Sequence, residues 1–136
     1  MPAVHYDSYS EARTHLKEVL DAAESGHVVT VRRESRQAAV LDAERLRHFL
    51  ATCESSTAHV VHEEDGWSAF IPGLPVAADG ATFEEAIDEL VLALREYAED
   101  WHHRLQHAAN HSANWGMVQL VSLSDDDQLR DWLRGS

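Results

Sequence analysis

Hydrophobic positions near the start of the chain recur at helical spacing. Residues 8–11 have the pattern S-x-x-E of a capping box, in which the two side chains satisfy free backbone N–H groups at a helix start. Gly26 supplies a residue that ends helices in the left-handed conformation. We therefore predict a helix over residues 9–25. Its single apolar stripe consists of Ala12, Leu16, Val19, Leu20 and Ala23.

The next segment alternates in the way that strands do. Residues 27–33 are rich in β-branched side chains, and residues 38–41 form a second short apolar run, which together predict a hairpin with a four-residue polar loop. Asp42 can cap a second helix that continues to about residue 51. The buried side of this helix is predicted to hold Leu46, Phe49 and Leu50. With a short strand at residues 4–6, the order is β-α-β-β-α.

A second group of elements follows from about residue 58. Strands at 58–62 and 67–71 flank a Glu-Asp-Gly turn, and a third strand is weakly indicated at 76–78. The pattern T-x-x-E at 82–85 then opens a long amphipathic helix of about five turns, extending to Trp101. This order is ββ(β)α.

Residues 106–136 give a weaker pattern. Residues 106–114 are polar and rich in histidine, residues 117–123 are predicted to form a strand, and Ser124 opens a short acidic helix with Leu129, Trp132 and Leu133 on one side. The chain is thus predicted to be an α+β protein in three segments. These are a β-α-β-β-α module at 1–51, a ββ(β)α module at 58–105, and an acidic tail at 106–136.

Charge is distributed unevenly between the two halves. The net charge is −13, but residues 1–50 carry seven basic and eight acidic residues, whereas residues 51–136 carry four basic and sixteen acidic residues. The first half can still face phosphate, and the second half would repel it and attract a basic partner. No apolar run reaches the roughly 20 residues of a membrane span, and no signal peptide is indicated, so we expect a cytoplasmic protein.

The first half resembles the Phd/YefM, or prevent-host-death, family of antitoxins. The resemblance rests on Y-S-E-A-R at 9–13, Leu16, V-x-V-x-R at 29–33, and A-A-V-L at 38–41, and it covers about residues 3–50. It implies a homodimer, or a higher even oligomer, whose paired modules bind operator double-stranded DNA and repress the toxin–antitoxin operon.

The same resemblance points to particular DNA contacts. It implies that Arg13 and Arg33 meet DNA, with Ser10, Arg32 and Arg36 as further candidates. An arginine in the opening turn of a helix also lies near N–H groups that favour phosphate, and arginines at a hairpin tip can reach phosphates or guanine edges. The alternatives are a solvated helix arginine and an ordinary charged turn. Because strand residues alternate faces, Arg32 and Arg33 cannot point the same way, and family position favours Arg33.

The second half resembles the antitoxin module of the HicB type, a truncated ribonuclease-H-like unit. The resemblance is carried by V-V-H-E-E-D-G-W at 60–67, F-x-P-G-L-P at 70–75 and T-x-E-E-A at 82–86. The common Phd/YefM layout instead ends in a flexible segment that wraps the toxin. Neutralisation here is therefore expected to use a folded surface, the tail, or both.

Catalytic and metal chemistry find little support. Three adjacent acids, Glu63 to Asp65, cannot converge on one face of a strand, so a solvated turn is favoured over a two-metal site. His103, His107 and His111 would align only if the helix continued, and Asn110 argues that it does not. No nucleophile elbow or phosphate-binding loop is present, and the single Cys53 excludes an internal disulfide. We expect no enzyme activity, no cofactor and no bound metal.

Aromatic residues in the acidic half are candidates for toxin contact. Trp101, Trp115 and Trp132 lie among carboxylates, which suits capture of a basic partner such as an RNase of the RelE kind. Packing within the protein is the alternative for each. The expected function is an antitoxin that neutralises its toxin and represses its operon. The rival is a transcription regulator with no toxin partner.

Overall fold

The computed structural model describes residues 4–56 and 58–135. These fold into two compact units, which divide between His48 and Phe49. No helix within the described residues combines the length and apolarity needed to cross a membrane. The mixed α+β class predicted from the sequence is confirmed, because each unit combines a three-stranded sheet with helices.

The first unit has the predicted order of elements. Strand β1 (His5–Tyr6) is followed by helices α1 (Tyr9–Thr14) and α2 (Leu16–Glu24), then by strands β2 (Val29–Arg33) and β3 (Arg36–Val40). In the sheet, β1 pairs parallel to β2, and β2 pairs antiparallel to β3. The small core beneath the helices consists of Tyr6, Ala12, Val19, Ala22 and Val29.

The first predicted helix is interrupted. Ser8 caps it as expected, because its Oγ accepts the Glu11 N–H (3.1 Å), but His15 leaves helical geometry (φ −112°, ψ 32°) and divides α1 from α2. The predicted apolar stripe is divided as well. On α2, Val19 is buried, whereas Leu16 and Leu20 are each 54% exposed. Gly26, with φ +99°, ends the helical segment as predicted.

The first hairpin is tighter than the predicted four-residue loop. Arg33 pairs with Arg36, which leaves only Glu34 and Ser35 in the turn, and Glu34 adopts a left-handed φ of 57°. The polarity of residues 36 and 37 suggested a loop. These two residues instead belong to an exposed strand, because polar side chains are compatible with strand pairing wherever they face water.

Helix α3 spans Ala43–Cys53. Asp42 caps it, since Asp42 Oδ2 accepts the Arg45 N–H at 3.0 Å. Leu50 is buried as predicted, but Phe49 is 61% exposed, so its predicted burial is wrong within a single chain. Leu50 and Phe49 are adjacent in sequence and therefore point about 100° apart around the helix.

The second unit is built on an antiparallel meander. Strands β4 (His59–Glu63), β5 (Gly66–Ile71) and β6 (Val76–Gly80) pair in sequence order, and helix α4 (Phe83–Asp100) packs against them. The weakly indicated third strand is thus present. Thr82 begins α4 by accepting the Glu85 N–H at Oγ1 (3.1 Å).

The predicted strand at 117–123 is wrong. After α4, a π-helical turn at Trp101–Leu105 leads through turns to α5 (Trp115–Leu123) and α6 (Asp126–Arg134). Both helices pack on α4 and add residues to its core, among them Met117, Val121 and Leu129. The reason for the error is that a short apolar run is compatible with a buried strand or a buried helix, and neighbours alone decide between them.

Candidate nucleic-acid interface and partner-binding residues

The two arginines singled out in the sequence meet over one aromatic ring. The guanidinium carbon of Arg13 lies 5.9 Å from the centroid of the Tyr9 ring, and that of Arg33 lies 5.8 Å from the same centroid. Tyr9 and Arg13 are one turn apart on α1, while Arg33 arrives from the end of β2. The quadrupole of the ring attracts both cations, so Tyr9 draws together two like charges that would otherwise repel each other.

Arg36 joins the same face of the sheet. It is the direct strand partner of Arg33, and directly paired residues project to the same side. Val29 and Val31 occupy this face nearer the core, under the helices. Within the described residues, no carboxylate lies within ion-pair distance of Arg13, Arg33 or Arg36, so the cluster presents uncompensated positive charge.

Arg32 lies on the opposite face and is neutralised. Its Nε donates to Asp7 Oδ1 at 3.0 Å, and Asp7 also lies 3.6 Å from His5 Nε2. The alternation of strand faces that separates Arg32 from Arg33 is thus observed. Arg32 does not extend the charged cluster.

Arg13 does not lie in the opening turn of a helix, as the sequence suggested. Arg13 lies in the last turn of α1 rather than its first, because the break at His15 makes this helix only six residues long. The ring of Tyr9, and not the N–H groups at a helix start, is therefore what Arg13 contacts. Ser10 is exposed and its carbonyl accepts the Thr14 hydroxyl (3.0 Å).

The arginines of the second unit are all engaged within it. Arg95 donates to Asp126 (2.7 Å) and to the carbonyls of Val121 and Ser124, where α5 ends. The other pairs are Arg104–Asp100, Arg130–Asp88 and Arg134–Glu84. This pairing leaves the remaining carboxylates of the unit to dominate its surface.

The three tryptophans proposed as toxin contacts have different environments. Trp101 is 4% exposed and donates its indole N–H to the His111 carbonyl (2.7 Å), so it serves the core. Trp132 is partly buried and donates to the Glu54 carbonyl (2.7 Å). Trp115 is 52% exposed. Its ring is available to a partner and that of Trp101 is not.

The acids considered for metal binding face solvent, and two of the histidines contact other groups of the protein. Glu63, Glu64 and Asp65 are exposed around the β4–β5 turn. His103 Nδ1 lies 3.0 Å from the Glu99 carbonyl, and His111 Nδ1 lies 2.7 Å from the Tyr97 hydroxyl. Within residues 4–56 and 58–135, no three potential ligands are placed to hold an ion.

Sequence reasoning did not single out Tyr9. Its spacing of four from Arg13 was a usable signal, since such pairs are neighbours on a helix surface. The contribution of Arg33 to the same ring could not be read from the sequence, because it depends on how α1 lies over the sheet.

Comparisons with known proteins identify the class. A crystal structure of the antitoxin part of a putative toxin/antitoxin system from Syntrophomonas wolfei subsp. wolfei superposes with a TM-score of 0.79, over 97% of this chain and 96% of that one, at 19% identity. This likeness establishes the fold. Among curated protein sequences, none matches.

The family is established by a sequence model. A PHD-like family model, described as the antitoxin of a RelE/RelB toxin–antitoxin system, matches residues 4–133. The chain belongs to this antitoxin family. Membership implies a toxin partner, indicates a regulatory rather than a catalytic protein, and favours the antitoxin over the solitary regulator.

Proposed function

We propose that this antitoxin represses its own operon through a DNA-binding surface formed by Arg13, Arg33 and Arg36 around Tyr9. The observation that carries the proposal is the convergence of Arg13 and Arg33 on one ring with no compensating carboxylate among the described residues. Guanidinium groups held in this way can reach phosphate oxygens and guanine edges. Ser10, exposed on the same short helix, is a further candidate for phosphate contact.

The first unit acts as a homodimer in this proposal. Leu16 and Leu20 lie one turn apart on α2 and are both more than half exposed, in a unit of 48 residues whose own core is small. Units of this size bury little surface and are at best marginally stable alone. A second copy would cover these leucines and present two arginine clusters to two half-sites, as in the Phd/YefM family that this half resembles.

The second unit binds the toxin in this proposal. Its β4-β5-β6-α4 order agrees with the HicB-like layout, and its net charge of −12 favours a basic partner such as an RNase. Residues Glu89, Leu92, Glu96 and Glu99 are exposed on α4 at helical spacing. An acidic helix face around an exposed leucine suits a cationic protein surface, and the exposed ring of Trp115 is an additional candidate contact.

The DNA proposal is tested with a double variant. R13A/R33A should remain folded but bind DNA from upstream of its own gene at least about 100-fold more weakly, because each dimer loses four guanidinium contacts. Gel shifts at matched salt measure the loss, and the dependence of affinity on salt should also become shallower.

Two single variants provide matched controls. R32A removes an arginine from the opposite face of the same strand, and R104A removes one from the second unit. Both should bind DNA within about threefold of the natural protein. If R32A lost as much DNA affinity as R13A/R33A, the loss would reflect net charge alone, and the proposed surface would be refuted.

A further inference from the structure

A cavity of about 310 Å³ lies in the second unit beside the turn between β5 and β6. Its lining is mixed: Ile71, Leu74, Met117 and Trp132 supply apolar surface, Ser55 and Asn114 supply polar groups, and Glu54 supplies the carboxylate. The volume is at the lower end of the range for ligand pockets, about 300 Å³, which suits one side chain rather than a cofactor.

Glu54 is fixed in this wall from two sides. Its backbone N–H donates to the Leu50 carbonyl (2.7 Å), and its own carbonyl accepts the indole N–H of Trp132 (2.7 Å). Its carboxylate occupies space that Gly116 leaves free, since a Cβ at position 116 would lie 2.5 Å from Glu54 Oε1. The absence of a side chain at Gly116 is therefore what admits the carboxylate.

No cation among the described residues pairs with the Glu54 carboxylate. Within residues 4–56 and 58–135 its side chain takes part in no hydrogen bond or ion pair, and the arginines of the unit are engaged with other carboxylates. It is also partly buried. A partly desolvated carboxylate beside the apolar side chains of this mixed lining is complementary to a cation that carries its own apolar stem.

We propose that this pocket receives an arginine side chain of the toxin, an inference that rests on toxin binding by the second unit. The stem would lie along Leu74 and Met117, and the guanidinium would reach Glu54 beside the indole of Trp132. Arginine is favoured because its planar fork matches a carboxylate and stacks on aromatic rings. The pocket would then supply one buried anchor within a broad acidic surface.

The pocket is tested first without the toxin. N-acetyl-L-arginine amide is titrated into the ¹⁵N-labelled full-length protein, and NMR follows the Trp132 indole N–H, assigned with W132F, and the Gly116 amide. Both signals should shift and saturate. Glu54→Gln should weaken binding about tenfold, and N-acetyl-citrulline amide, which has a similar shape and no charge, should bind correspondingly weakly.

Gly116→Ala tests the position of the Glu54 carboxylate separately from its charge. The added methyl group would displace the Glu54 carboxylate without removing it, and alanine is favourable in a helix, so the variant should stay folded and bind the arginine amide more weakly. The proposal is overturned if Glu54→Gln binds the arginine amide as tightly as the natural protein does. It is also overturned if the citrulline analogue binds as tightly as the arginine amide, or if neither signal shows a saturable shift.

The closing experiment measures affinity for the toxin, taken as the basic protein encoded beside this gene, by calorimetry. Glu54→Gln should bind it about tenfold more weakly and retain full DNA affinity. A variant that loses the arginine amide but keeps full toxin affinity overturns the inference alone. If the natural protein itself does not bind the toxin, toxin binding by the second unit is refuted together with the inference. The amide titration then stands as a separate result.

Discussion

The two units of this antitoxin differ in how completely each buries its own apolar surface. Among the described residues, the clustered core of the first unit has five buried residues, whereas that of the second has sixteen. The first unit also leaves the large side chains of Leu16 and Leu20 exposed on α2, although other residues of the same helix are buried. The second unit therefore has the larger core of its own, and in the proposed function the exposed leucines of the first unit pack against a second copy.

Arginine usage follows the same division. In the second unit every arginine is held by a carboxylate of that unit, so its role is structural. In the first unit, Arg13, Arg33 and Arg36 gather without one among the described residues. The same residue type therefore stabilises one unit and, in the proposed function, binds DNA from the other. The outcome depends on whether a carboxylate lies within reach.

The largest expected effect is on the core of the second unit. Leu90→Ala removes a fully buried side chain from α4 and should lower the free energy of unfolding by about 2–5 kcal/mol, since it leaves a cavity. Urea denaturation measures the loss. Leu92→Ala on the exposed side of the same helix is the control and should change stability by less than about 0.5 kcal/mol. Similar losses for both would contradict the assigned core.

The second prediction concerns the exposed leucines of the first unit. Leu20→Asp places an unpaired charge in the proposed dimer surface and should weaken dimerisation by about 100-fold, or roughly 2.7 kcal/mol. Sedimentation velocity across a concentration series measures it. The control is Leu92→Asp, which adds the same charge to an exposed leucine of the second unit. A monomer–dimer equilibrium unaffected by Leu20→Asp would remove this surface from the dimer.

A smaller effect is expected for the arginine that joins α4 to the end of α5. Arg95→Ala removes the guanidinium donor to the Val121 and Ser124 carbonyls, of which Val121 keeps only a long bond from the Ser124 N–H (3.4 Å). The variant should lose about 1–2 kcal/mol of stability, with DNA affinity unchanged. Arg104→Ala, which removes only an exposed ion pair, should cost less than about 0.5 kcal/mol. Thermal melts and gel shifts on both variants test this. A loss of DNA affinity in Arg95→Ala would contradict the assignment of DNA binding to the first unit alone.

The smallest effect is a titration on α2. The hydrogen bond from Lys17 to Asp21, followed by their charge attraction, raises the pKa of Lys17 above its ordinary 10.5. Because the folded pKa is the higher one, the contribution of this pair to stability is complete below pH 10.5 and is lost as pH rises through the folded pKa.

NMR of the Lys17 side chain follows this titration directly. Asp21→Asn should lower its midpoint towards the ordinary value, and Glu18→Gln, which removes a weaker attraction, should lower it less. The reverse order of the two variants would show that Asp21 is not the main partner of Lys17.

Local chemistry in the sequence determined most helix starts and the order of elements. Ser8, Asp42 and Thr82 each cap a helix by accepting an N–H three residues ahead, and such bonds need only near neighbours in the chain. Arg32 and Arg33 are likewise assigned to opposite faces by their adjacent positions alone, because every strand alternates the direction of its side chains.

Tertiary structure decided what depends on distant neighbours. The 117–123 segment is helical because α4 offers it a surface on which to pack, and its apolar composition alone suited either structure. Tyr9 gathers two arginines only because α1 lies against the end of β2, and Glu54 meets Gly116 across sixty-two positions of the chain. Burial and long-range contact are properties of the packed chain, and periodicity along the sequence records them only in part.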